Sequence, residues 1–485
     1  MSDTSPTLVW LRDDLRLADN PALRAAIDRG GPVAVCYLLD EESDGIRPLG
    51  GAARWWLHGS LTALGADLAE HGVPLILRRG PAEAVVLQLA EDIGAGSVHW
   101  NRRYGQAERT VDTAVKEALR SDGREATSHQ GSLLFEPWTV QTGTGGPYSV
   151  YTPFARACHS RPAPREPLPR PRSLDRLPVR VASDDLDDWG LLPAEPDWAG
   201  GLRERWEPGE KAAVKRLRAF LAEQLDDYAD GRDRPAEDAT SNLSPHLRWG
   251  EISPFQVWHA VEQARARGEH RGEGSERFIS ELLWREFCYH LLFHWPSLAT
   301  ANFDSRFDSF PWGHPGSERI EAWHRGHTGF PLVDAGMREL WRTGYMHNRV
   351  RMVTASFLIK NLLVDWRVGE EWFWDTLVDA DPASNAANWQ WVAGSGADAS
   401  PFFRVFNPVT QSKKFDPDGD YLRANVPELA DIDGSAVHEP WTLGGTLDAT
   451  AADYPEPILD LKETRALALD AFATIKGAPR DISRH

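Results

Sequence analysis

Between residues 7 and 140, apolar runs of four to eight residues alternate with amphipathic segments. TLVWLR gives way to PALRAAIDRG, then PVAVCYLL, AARWWLHGSLTALGADLAEHG, PLILRRG, PAEAVVLQLAEDIGA and SVHWN. Short unbroken apolar runs suit strands buried on both faces, and the segments between them carry helical spacing. The alternation points to a parallel sheet wound with helices, a Rossmann-like α/β domain over residues 1–140. No G-x-G-x-x-G follows the first run, so the dinucleotide fingerprint is absent and any ligand here binds by another rule.

The texture changes twice more. From Gly143, GTGGPYSVYTPFARACHSRPAPREPLPRPRSL is rich in Pro and Arg, and DDLDDW follows. Such composition does not build a core, and residues 141–206 read as a connector draped over the surface. From Gly209 the pattern is helical throughout, as in EKAAVKRLRAFLAEQLDDYADG, FISELLWREFCYHLLFHW and EEWFWDTLV. Residues 207–485 read as one large all-α domain, closed by LKETRALALDAFATIK. At 485 residues the chain has room for two or three cores.

Charge and cysteine usage narrow the setting. Against 53 basic residues stand 72 acidic ones, a net charge of -19, so a nucleic-acid partner would need a local basic face. The stretch from Arg342 to Lys360 holds no acid and supplies one. Cys36, Cys158 and Cys288 lie far apart without metal-ligand spacing, which fits a reducing, cytoplasmic setting and no metal. No run approaches the roughly 18 apolar residues of a membrane span, and MSDTSPTLVWLRDDLRL lacks the pattern of a secretory signal.

Five segments of the helical half could carry chemistry, and each has a plain structural alternative. Asp379 to Trp391, DADPASNAANWQW, places two acids two residues apart, an amide at Asn385 and two indoles after it. Its small residues leave room for a redox-active aromatic ring, or the acids simply cap a helix whose tryptophans are core. TSNLSPHL collects hydroxyls and N–H groups before a helix, as a phosphate site or as an ordinary N-cap. In ELLWREF, Glu281 and Trp284 share a helical face, able to hydrogen-bond and stack on a base or to form a core Trp beside an ion pair. Asn348 and Met352 of YMHNRVRM lie one turn apart on one face, or Met352 is simple core filler. The run Pro401 to Arg404 with Asn407 and Gln411 is polar and basic, able to contact phosphate or merely to end a helix.

Taken in order, WLRDDLRLADNPAL, GPYSVYTPF, TSNLSPHL, ELLWREF, TGYMHNRVRM and DADPASNAANWQW resemble the photolyase/cryptochrome family. The details look like those of its bacterial cyclobutane pyrimidine dimer photolyases of class I or class III. The resemblance covers nearly the whole chain and is weakest at 140–206. It implies an α/β N-terminal domain and an all-α FAD-binding C-terminal domain. Tyr228, Thr240, Ser241, Asn242, Leu243 and Ser244 match contacts to the FAD phosphates and ribityl chain, while Asp379, Ala380 and Asp381 match the segment that holds the ring. Asn385 matches the residue facing flavin N5, where plant cryptochromes carry Asp. Glu281, Trp284, Asn348 and Met352 match the pocket for a flipped-out dimer. Arg232, Arg285, Arg349, Arg404 and Gln411 match contacts to DNA, and Trp389, Trp366 and Trp312 match an electron relay. Phe278 stands where some members have Trp.

The family mechanism so implied is light-driven electron transfer from reduced, anionic FAD to the dimer. It needs no general base or nucleophile. The implied partner is UV-damaged DNA, duplex or single-stranded, bound by a monomer without a membrane. A second, antenna chromophore is implied near Asp40, Arg54 and Glu108, either methenyltetrahydrofolate or 8-hydroxy-5-deazaflavin. Folate is the first expectation, although Ala107 and Ala299 replace polar residues that some folate-binding members use. The rival reading is a cryptochrome-type blue-light photoreceptor. Asn385, the four-residue pocket and the absence of a long low-complexity tail after Lys476 stand against it. A (6-4) photolyase would want a His pair where this chain has His347 and Asn348.

Overall fold

The structure is a computed structural model that describes residues 5–268, 272–398, 403–446 and 453–479. Five strands, β1 Thr7–Leu11, β2 Val33–Leu39, β3 Leu75–Arg79, β4 Ser97–Asn101 and β5 Glu125–His129, make one sheet in the order β3-β2-β1-β4-β5. Every pairing is parallel. Successive side chains of a strand point to opposite faces, so Val9 and Leu11 join one core and Leu8 and Trp10 the other. The helices Pro21–Arg29 and Gly51–Ala69 cover the first face, and Ala82–Asp92 and Gln106–Ser121 the second. Burial on both sides explains why β1 and β2 run apolar without alternation.

Beyond β5 the described residues contain helices and no further named strand, as the sequence predicts. The longest helix, Glu273–His294, runs through the largest core cluster, and a second cluster gathers around Pro331–Thr343 and the segment 348–377. Among the described residues no helix is long and apolar enough to cross a membrane.

The Pro- and Arg-rich segment differs from the draped connector that its composition suggests. Tyr151–His159 is a helix whose Phe154 and Cys158 are buried in the main helical core. Farther on, the chain pins itself to the sheet. Val33 donates its N–H to Asp175 O at 2.7 Å, Asp184 donates to Leu77 O at 2.9 Å, and Trp189 packs near Tyr37. Sparse apolar anchors and backbone bonds hold this stretch, and neither leaves a periodic signal in sequence.

The two halves meet through buried polar groups. Arg248 donates Nε to Ala380 O and Nη1 to Asp13 Oδ1, both at 2.7 Å. Arg16, fully buried, reaches Gly250 O at 2.8 Å, and Leu15 donates its N–H to Trp249 O at 3.1 Å. Gly250 has φ +63°, and a Cβ there would lie 2.1 Å from Asp13 O. Gly250→Ala is therefore expected to cost about 3 kcal/mol or more by strain and clash. The thermal midpoint should fall by about 5 °C or more; an unchanged melt would mean that this approach is not tight.

Candidate flavin and lesion site

Three segments converge on one cavity of about 400 Å³. The Glu273–His294 helix contributes Glu281, Trp284, Arg285 and Cys288, which share a face at spacings of three and four. The Asn348–Ser356 helix contributes Asn348, Arg349, Arg351 and Met352. The turn at 379–381 and the Ser384–Ala393 helix contribute Asp379, Ala380, Asp381, Asn385, Trp389 and Trp391.

The acids of the turn are fixed, and each differently. Asp379 takes both arms of Arg351, at 3.1 and 2.9 Å, and the hydroxyl of Ser244 at 2.7 Å. Asp381 Oδ1 accepts the N–H groups of Ala383 and Ser384, while its Oδ2 accepts Tyr289 Oη at 2.7 Å. Asp381 thus holds the start of a helix and lines the cavity at once. Asn385 donates its amide nitrogen to Glu370, to the backbone O at 2.9 Å and to Oε1 at 2.8 Å. Two acceptors at that end settle which way the amide points, and leave its oxygen for the cavity. Glu370 is itself clamped by Arg47 of the α/β domain, at 2.8 and 3.0 Å. Ala383 and Ala386 pack into the main core, so only part of the small-residue run faces the cavity.

On the opposite wall, Glu281 is paired with Arg232 and lies 3.8 Å from Arg277. Arg349 binds Asp233 at 2.7 Å and covers the Phe415 ring, and Arg285 donates to Ser132 O at 2.9 Å. The acid-free stretch around Arg349 is therefore not an open basic face: Arg351 turns inward and Arg349 has a partner from another segment. Arg404 is exposed and Gln411 half-buried, and neither lines the cavity. Pro401 and Phe402 lie outside the described residues.

Of the other sequence-predicted residues, all but Trp389 stand apart from the cavity. Tyr228 is buried edge-on to Phe278, with ring centroids 5.3 Å apart. Thr240 and Asn242 line a second hollow of about 550 Å³ with Tyr345 and His347, while Leu243 is core. His347 and Asn348 are adjacent in sequence and open on the two different hollows. Ser241 accepts Arg216 Nε at its backbone O, and the helix that begins at Ser244 ends at Arg248, too short to focus much charge. Trp389 packs against Phe373 at 4.9 Å, Trp366 is fully buried with Nε1 on Asn302 Oδ1, and half-buried Trp312 packs on Phe310 at 4.5 Å. Of the three residues expected near an antenna, Asp40 accepts N–H groups of Glu42 and Ser43, Arg54 pairs with Glu41, and the carboxyl of Glu108 folds back toward Gly105. None of these three lines either hollow.

Sequence reasoning missed Arg351, Trp391, Glu370 and Tyr289. Arg351 follows Asn348 by three and so shares its helical face, a signal that was available. Trp391 was in view, and nothing in its spacing set it apart from core. The pairing of Glu370 with Asn385 leaves no trace in sequence.

Comparison with known proteins fits this geometry. Residues 7–172 match the DNA photolyase family model, and residues 278–474 match that of the FAD binding domain of DNA photolyase. The deoxyribodipyrimidine photo-lyase of Agrobacterium fabrum is 51% identical over 482 residues, 98% of each chain. Among solved structures, a class III photolyase from Agrobacterium tumefaciens superposes with a TM-score of 0.93 at 50% identity, covering 98% of both chains. A Synechocystis cryptochrome superposes at 0.87 with 31% identity, over 97% of this chain and 100% of that one. The fold and site define a two-domain flavoprotein. The chain belongs to the photolyase/cryptochrome family and, within it, is an enzyme of the DNA photolyase type.

One buried group next to the cavity makes stability depend on pH. Glu286, beside Arg285, is sealed from solvent, with Oε2 accepting the N–H of Phe135 at 3.1 Å. Burial pushes its carboxyl up to about 7, against the opposing pull of Arg285 and nearby N–H groups. The folded protein keeps a proton that the unfolded chain has already released, so stability falls as pH rises from the ordinary glutamate range through about 7. Between pH 5 and 8 the wild type should lose about 3 kcal/mol relative to Glu286→Gln. Urea midpoints of both proteins at the two pH values check this; parallel curves would contradict it.

Proposed function

We propose that this protein repairs cyclobutane pyrimidine dimers in DNA, using light and a reduced FAD held between Asp379, Asp381 and Asn385. The observation that carries this reading is the sharing of one cavity by two sets of residues. Asp381 and Asn385 form one wall, and Glu281, Trp284, Asn348 and Met352 form the other. The donor set suits a flavin ring: carboxylate oxygens for its N–H and hydroxyl groups, and an amide oxygen held toward the cavity by Glu370. When bound, reduced FAD supplies a light-driven electron donor, and the chain itself offers position and electrostatics.

Each side chain then has a definable task. Asp379, neutralised by Arg351, anchors the ring end next to Ser244. Thr240 and Asn242, on the adjoining hollow, suit the phosphate end. Glu281 can turn a carboxylate oxygen from Arg232 to the N–H of a pyrimidine, Asn348 can hold its carbonyl, and Trp284 and Trp391 offer flat apolar faces. A dimer must leave the duplex to reach such a cavity; photolyases are themselves a standing example of base flipping, so that step is taken from the family. Arg232, Arg285, Arg349, Arg404 and Gln411 are assigned to the DNA backbone, and Trp389, Trp366 and Trp312 to refilling the flavin with electrons. The antenna, methenyltetrahydrofolate or 8-hydroxy-5-deazaflavin, is assigned to the α/β domain.

The place of His347 supports the choice of lesion: it opens on the second hollow, so among the lining residues the lesion cavity has no imidazole beside Asn348 for (6-4) chemistry. The similarity to a Synechocystis cryptochrome favours the second reading, a blue-light photoreceptor. The amide at 385 and the polar groups of the far wall favour repair.

Two substitutions test the assignment. Trp284→Ala should weaken binding to dimer-containing DNA by about tenfold or more, as loss of one base–aromatic stack does, with flavin still bound. Retained preference for damaged over intact duplex would count against the pocket. Trp389→Phe should slow photoreduction of oxidised flavin severely and spare repair by protein reduced beforehand. Loss of both activities would overturn the division between relay and repair site.

A further inference from the structure

Behind Trp284 lies a second aromatic ring. Tyr151 stacks on the indole with centroids 3.8 Å apart and planes within 7° of parallel. Its hydroxyl is tied down at both ends: Oη donates to the backbone O of Ser280 at 2.8 Å and lies 2.7 Å from Ser280 Oγ. Ser280 is one turn before Trp284 on the same helix, so the phenol is anchored to the backbone that carries the indole. The helix that Tyr151 opens is itself docked, with Phe154 5.3 Å from Phe287 and Cys158 buried. Trp284 lines the cavity and Tyr151 does not, so the stack covers the side of the indole turned away from it.

We propose that Tyr151 is a positioning residue for damaged DNA: it holds the plane of Trp284 so that one face stays presented to a flipped-out base. This rests on the repair reading given above. A half-buried indole has several rotamers open to it, and a flat ligand gains most from a face already in place. The parallel ring fills the volume into which Trp284 would otherwise fall back, and the bonds to Ser280 stop the two rings from sliding. Tyr151 touches neither substrate nor flavin in this arrangement. Its contribution should therefore appear in recognition and not in the light-driven step.

A double-mutant cycle on flavin-loaded, reduced protein tests this, with affinity for a thymine-dimer duplex over the intact duplex as the readout. Tyr151→Leu, which keeps apolar volume without a ring, should lower that ratio about fivefold, in line with the worth of an aromatic pair. Repair per flash at saturating DNA and flavin content should be unchanged, and Tyr151→Phe should restore most of the ratio. In a Trp284→Ala background, Tyr151→Leu should have no further effect. The proposal is overturned if Tyr151→Leu leaves the ratio intact, or lowers it equally in both backgrounds. Should Trp284→Ala alone leave the ratio intact, the repair pocket itself fails, and the role of Tyr151 with it.

Discussion

The ion pair between Asp379 and Arg351 is the joint on which the cavity depends. Asp379 is nearly sealed from solvent, and Arg351 meets it with two parallel N–H bonds while Ser244 adds a hydroxyl. The three partners come from three segments: the short helix that begins at Ser244, the Asn348–Ser356 helix, and the turn that leads into the Ser384–Ala393 helix. Losing one member of such a pair leaves the other charge buried, at a cost of about 3–5 kcal/mol. One interaction therefore sets the spacing of walls that share no sequence neighbourhood.

The α/β domain does more than stand beside the helical one. Arg47 orients Glu370, Glu370 orients the amide of Asn385, and that amide presents its oxygen to the cavity. Arg248, held by Asp13, fixes the carbonyl of Ala380 between the two acids. Rigid support of this kind is what places functional groups within the tolerance that chemistry requires. Two domains thus act on one site, and they meet both through these specific polar contacts and through an apolar cluster that joins Trp56 to Trp206, Trp249 and Val378.

Much of this was legible in sequence, and for identifiable reasons. The unbroken apolar runs of β1 and β2 announced a sheet buried on both faces, and the spacing of Glu281, Trp284 and Arg285 announced one face of a helix. Asn348, Met352, Asp379, Asp381 and Asn385 came from ordered motifs and meet at the cavity. What escaped was pairing at long range. Arg351 could be placed on the right face but not given Asp379 as its partner. Arg349 was expected to make an open basic surface and instead meets Asp233, while Tyr151 lay in a segment that composition marked as surface. A side chain's charge is written in the sequence; what neutralises it is decided by the fold.

The account stands on a light-dependent reaction at the cavity between Asn385 and Trp284. Its most direct measurement is the loss of dimers from a thymine-dimer oligonucleotide, followed under blue or near-ultraviolet light with flavin-loaded, chemically reduced protein. The account predicts that dimers disappear under illumination, persist in the dark, and persist in the light when Trp284→Ala protein is used at concentrations limiting for binding. Protein that carries reduced flavin and binds the damaged strand, yet leaves the dimers intact after illumination, would contradict it.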